Sequence, residues 1–72
     1  MIYLEKEKAS KIDENTFTIP WWVARFQVNT WPSSVDFDGF LYRMDHFRRG
    51  EDGDILSVTY VCGDKRLIVT AD

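Results

Sequence analysis

The chain has 72 residues, 44% of them hydrophobic and 29% charged, with 9 Lys and Arg against 12 Asp and Glu for a net charge of -3. That length leaves room for one small core, so residues 1–72 are expected to form a single domain, and the apolar content is too high for a disordered segment. The negative balance supplies no overall positive field for a phosphate backbone, and the longest mainly apolar run, residues 19–26, contains Pro20 and Arg25 and is far short of the roughly 20 residues that cross a bilayer.

Ile2, Tyr3 and Leu4 are followed by alternating charges from Glu5 to Lys8. This start lacks the apolar segment of a signal peptide, and a cytoplasmic location is expected. Cys62 is the single cysteine, which offers no disulfide framework and suits a reducing compartment. So small a chain then relies on its core alone or on association, and a homodimer is one route to more buried area.

Residues 9–15 are polar and turn-rich and read as a loop. After them Ala24, Phe26 and Val28 alternate with Arg25, Gln27 and Asn29, the period of a strand with one wet face. Pro20 cannot donate to a ladder, so that strand is expected to begin at Trp21 or Trp22.

Residues 33–49 fit two templates. As a helix, Phe37, Phe40, Leu41, Met44 and Phe47 fall on one face, with Ser33 as cap and Gly50 as stop. As a strand, Phe40, Tyr42, Met44 and His46 share a face, with a loop over residues 49–53 leading to Ile55. The strand reading is preferred because it sets Met44 opposite Val58 and Tyr42 opposite Tyr60, and because Gly39 and the aromatics are indifferent helix formers.

Residues 55–62 and 66–70 are β-branched and aromatic runs around Gly63 and Asp64, a favoured pair for a two-residue hairpin turn. That turn sets Tyr60 opposite Leu67, Val58 opposite Val69 and Thr59 opposite Ile68. Leu56, Val58, Tyr60, Leu67 and Val69 then form one apolar face. A second face carries Leu41, Phe47, Ile55, Val61 and Ile68. The expected fold is mainly β, a small single-domain antiparallel meander of four to five strands. The alternative is an α+β ββαββ arrangement with a helix near 34–49.

Catalytic chemistry finds little material. His46 and Cys62 are the only histidine and cysteine, and the register just given separates them by roughly 20 Å at about 3.3 Å per residue. Asp45 adjoins His46, but successive strand side chains point to opposite faces, so no orienting pair is expected. Zinc wants three or four Cys and His ligands. Asp36, Asp38 and Gly39, like Glu51, Asp52, Gly53 and Asp54, lack the spacing of a calcium loop and match turn chemistry instead. The glycines fit no phosphate-binding loop. Neither a metal nor a cofactor is expected.

The aromatics rise above background, with Trp21, Trp22, Phe26 and Trp31 within eleven residues. Consecutive tryptophans in a strand face opposite ways, so Trp22 is expected in the core with Ala24, Phe26 and Val28, and Trp21 on the second face. Tryptophan and arginine dominate interface energetics. The expected function is therefore non-enzymatic binding of a protein partner, as an inhibitor or adaptor, through an aromatic and acidic surface. Its candidate residues are Trp21 and Trp31 as apolar anchors, Arg25 and Arg43 on the polar face, and Asp52 and Asp54 in the loop. A single-stranded nucleic-acid binder using the same aromatics, and a small enzyme using His46, are the alternatives.

Overall fold

The computed structural model describes residues 2–24 and 31–71. The mainly β class expected from the sequence is what forms, as one curled sheet. Its strands are β1 (Tyr3–Leu4), β2 (Ser10–Asp13), β3 (Thr16–Pro20), β4 (Ser34–Phe37), β5 (Phe40–Arg49), β6 (Ile55–Cys62) and β7 (Lys65–Thr70). A single 3-10 turn, Lys6–Lys8, and one helical turn, α1 (Trp21–Ala24), complete the described elements. Residues 34–49 form two strands, which settles the choice against a helix there. Among the described residues no helix is long and apolar enough to cross a membrane.

The sheet order is β1-β4-β5-β6-β7-β3-β2. The expected meander is its middle, β4 to β7, where neighbours in sequence pair antiparallel. The additions are two parallel pairings, β1 with β4 and β3 with β7, and the antiparallel edge strand β2. The two outermost strands, β1 and β2, are joined only through residues 5–9. This short tether requires the sheet to roll up, and the Phe17 and Phe37 rings, from opposite halves of the sheet, meet edge-on at 5.3 Å inside the curl.

Alternate residues of β3, β4 and β7 line the core, and in the central strand β6 Ser57 and Thr59 are buried along with Val58 and Tyr60. Ile19, Val35, Phe37, Tyr42, Val58, Tyr60, Leu67 and Val69 are fully buried in the core's interior. Leu56, expected on that face, is exposed. A bulge explains it: Arg48 pairs with Ser57 and Arg49 with Ile55, so Leu56 is the extra residue and turns outward.

Two hairpins show how turn chemistry fixes register. Asp38 and Gly39 both have positive φ, 55° and 83°, the pair of left-handed residues a type I′ turn needs. Gly63 alone is positive in the β6–β7 turn, at 62°, the pattern of type II′. The expected pairs Tyr60 with Leu67, Val58 with Val69 and Thr59 with Ile68 all form. A Cβ on Gly63 would touch nothing within 4 Å, so Gly63→Ala carries a backbone penalty alone. It should lower stability by about 1 kcal/mol, read as an earlier urea midpoint at unchanged slope.

The β5–β6 register differs from the expectation by two residues. Met44 faces Tyr60 and Phe47 faces Val58, and between them Asp45 bulges out of the ladder. Residues 9–15 also differ, since β2 lies where a loop was expected. Its residues are exposed throughout, and it is held by pairing with β3 rather than by burying a face.

The strand expected from Trp21 is replaced in its first turn by α1. Pro20 closes β3, and its fixed φ and missing N–H suit a helix entry. A helical turn also accommodates both tryptophans. Trp21 packs against the core, Ala24 three residues on is buried, and Trp22 points to solvent with 61% of its surface exposed. The rest of the expected strand, with Phe26 and Val28, lies outside the described residues.

Candidate functional site

Strand alternation sends Arg43, His46 and Arg48 to the outer face of β5. There they stand beside Val61, Thr59 and Ser57 of β6, and beyond these Arg66, Ile68 and Thr70 of β7. At one end of this face lies a cleft of about 920 Å³. Its floor is Ser57, Ile68 and Thr70, its walls are Trp31, Arg48 and Ala71, and residues 53–56 close its rim. Pockets that hold small ligands or inserted side chains run roughly 300–1,000 Å³. The cleft presents an indole, two isoleucines, two hydroxyls, a guanidinium and the Asp54 carboxylate.

Local bonding shapes its rim. The Arg49 guanidinium donates to the Gly53 carbonyl at 2.8 Å, and the Asp54 amide donates to the Asp52 carboxylate at 3.2 Å. Asp52 thus shapes the loop, and Asp54 is the acid at the cleft. Trp31 is positioned from below, because the buried Tyr60 hydroxyl donates to the carbonyl of its neighbour Pro32 at 2.8 Å. Burial raises the Tyr60 phenol above its ordinary pKa, and the same cause acts on Tyr42.

Of the residues singled out from the sequence, Trp31 and Asp54 meet at the cleft, Asp52 supports its loop, and Arg43 lies on the same outer face of β5. Trp21 does not. It is half-buried on α1 against the core, while Trp22, expected in the core, holds the exposed position expected of Trp21. Arg25 lies outside the described residues. Arg48, Ser57 and Thr70 were not anticipated. Arg48 sits in a stretch that resembles a charge-compensated loop, and only its pairing with Ser57 shows it to be a strand residue facing the cleft.

The acids between Asp38 and Asp54 lie in three places rather than on one acidic surface. Asp38 faces Lys6 at 3.9 Å, Asp45 bonds His46, and Asp52 and Asp54 lie at the loop. The Asp45 contact corrects the sequence reading. Its carboxylate lies 2.7 Å from His46 Nδ1, because the bulge breaks the alternation that would have separated them. The separation of His46 from Cys62 is also revised. His46 pairs with Thr59, three residues from Cys62, about 10 Å at 3.3 Å per residue. That is half the expected distance and still beyond proton-transfer reach. Among the described residues no cluster of three or more His, Cys, Asp or Glu is placed to hold a metal ion.

Neither the sequence nor the fold matches a family model, a curated protein or a solved structure.

Proposed function

We propose that this chain is a non-enzymatic binding domain of the cytoplasm that receives a segment of a protein partner in the outer-face cleft. The observation that carries the reading is the convergence there of Trp31, Arg48 and Asp54 over an aliphatic and hydroxyl floor. An indole wall and isoleucines supply desolvated contact area, and opposite charges at the Arg48 wall and the Asp54 rim fix the orientation of what enters. Binding by occupation needs no reacting group, which suits an inhibitor or adaptor. The single Cys62 suits a reducing compartment.

Thr70→Trp fills the cleft from its β7 side, and Arg48→Ala removes its guanidinium. Each should reduce partner capture at least about tenfold, the loss of one central contact, with the melting temperature nearly unchanged. The readout is retention of a cytoplasmic partner by the immobilised wild type and variants. Equal capture by all three would refute the cleft. Turnover of a small molecule that disappears in His46→Ala would refute the non-enzymatic reading. Tight, salt-sensitive binding of a labelled single-stranded oligonucleotide would favour the nucleic-acid alternative.

A further inference from the structure

We propose that the segment received by the cleft is extended and carries an apolar side chain, an acid and a base at alternate positions, in that order along the outer face, an inference that rests on the cleft reading. Three stations of the sheet line the cleft. Ile68 stands in the row it shares with Thr59 and His46. Two residues further along β7 and β5, Thr70, Ser57 and Arg48 form the next row, two hydroxyls and a guanidinium side by side across three strands. The third station is Asp54, held opposite Gly50 by the bond from the Gly50 amide to the Asp54 carbonyl at 2.8 Å. Gly50 lies two residues beyond Arg48 on β5, the strand without the bulge at this point.

The stations are therefore equally spaced, about 6.6 Å apart at 3.3 Å per residue. Side chains on one face of an extended segment recur at that same interval, because they too are two residues apart. A segment laid along β6 sets one side chain on each station. Ile68 and the Trp31 wall take an apolar group. The Arg48 row takes a carboxylate, since a guanidinium and two hydroxyls all donate to it. Asp54 takes a cation.

The charges favour a polypeptide over other occupants. Arg48 and Asp54 are both exposed, and among the described residues neither side chain has an ion-pair or hydrogen-bond partner. They line one cleft without neutralising each other. An occupant with both signs of charge satisfies both groups, whereas a nucleic-acid strand brings negative charge alone and is repelled at Asp54.

Two blocked heptapeptides, titrated calorimetrically into the whole chain, test this. Both carry leucine, aspartate and lysine at alternate positions among serines, one in that order and one reversed, because chain direction does not alter which side chain meets which station. One of the two should bind with a sub-millimolar Kd, weak because the contact is far smaller than a standard interface. The same peptides with aspartate and lysine exchanged should bind at least about tenfold more weakly. Arg48→Glu combined with Asp54→Lys should invert that preference, a result that loss of folding does not imitate. Failure of both peptides at about 5 mM, indifference to the exchange, or an uninverted preference in the double variant would each overturn the proposal. Tighter binding of a single-stranded oligonucleotide at the same residues would overturn it too, as would a dimer of the free chain that Arg48→Glu dissociates, which puts a second copy in the cleft. The cleft reading itself fails by a different result, partner capture that survives Thr70→Trp. Capture lost in Thr70→Trp with both peptides inert keeps the cleft and removes the charge order.

Discussion

Phe37→Ala should lower stability by about 3–5 kcal/mol, the usual cost of truncating a buried phenylalanine. Phe37 is fully buried at the end of β4 and meets Phe17 edge-on at 5.3 Å and Tyr42 edge-on at 5.5 Å. Phe17 belongs to β3 near one end of the sheet order and Phe37 to β4 near the other, so this ring closes the curl between strands that share no ladder. A cavity there loses more than transfer energy, since the tether over residues 5–9 keeps the two halves facing each other across the void. Domains have roughly 0.05–0.15 kcal/mol of stability per residue, or about 4–11 kcal/mol for this length, so the substitution removes a large share of the total. Phe37→Leu keeps an apolar group in the space and should cost about half as much or less. Urea titrations of the three chains, with matching slopes, measure both differences. A loss below about 1 kcal/mol for Phe37→Ala would show that the curl closes without this ring.

The parts of the fold legible in the sequence are those set by local rules. Gly63 and Asp64 define their turn by backbone conformation alone, and every expected pair around it follows. Strands near Tyr42, Val58 and Val69 carry a period of two because one face of each lines the apolar core. Legibility fails where the cause is not local. β2 is exposed on both faces, so no hydrophobic period marks Ser10–Asp13, and its partner β3 is what makes it a strand. The parallel pairings of Leu4 with Phe37 and Ile19 with Val69 join residues far apart in the chain, which no window of sequence contains. The helical turn at Trp21 is decided by what each indole can reach across the finished core. The cleft suffers in the same way. Trp31 and Asp54 stand out by residue type, but Arg48 depends on the bulge at Asp45, which shifts the register by an amount the apolar pattern does not encode.

Tyr60→Phe should cost about 1–2 kcal/mol at neutral pH, and that cost should nearly vanish in strong alkali. At neutral pH the variant loses the hydroxyl that donates to the Pro32 carbonyl at 2.8 Å, leaving a part-buried acceptor without this donor. The same change releases the backbone beside Trp31, so capture of a partner by the cleft should weaken as well. In alkali the sign reverses. An unfolded tyrosine ionises near pH 10, while burial holds the folded Tyr60 phenol neutral to higher pH. Above about pH 10 the unfolded chain therefore binds fewer protons than the folded one, and stability falls as pH rises, approaching about 1.4 kcal/mol per pH unit from this group. Tyr42, raised in the same direction by burial, steepens the fall in both proteins. Phenylalanine at position 60 has no proton to lose, so at pH 11 the wild type gives up about 1.4 kcal/mol that the variant keeps. Urea unfolding of both at pH 7 and pH 11 measures the gap. A gap of equal size at the two pH values would mean that Tyr60 ionises as readily in the fold as in the open chain, and that its hydroxyl is not sealed beneath Pro32.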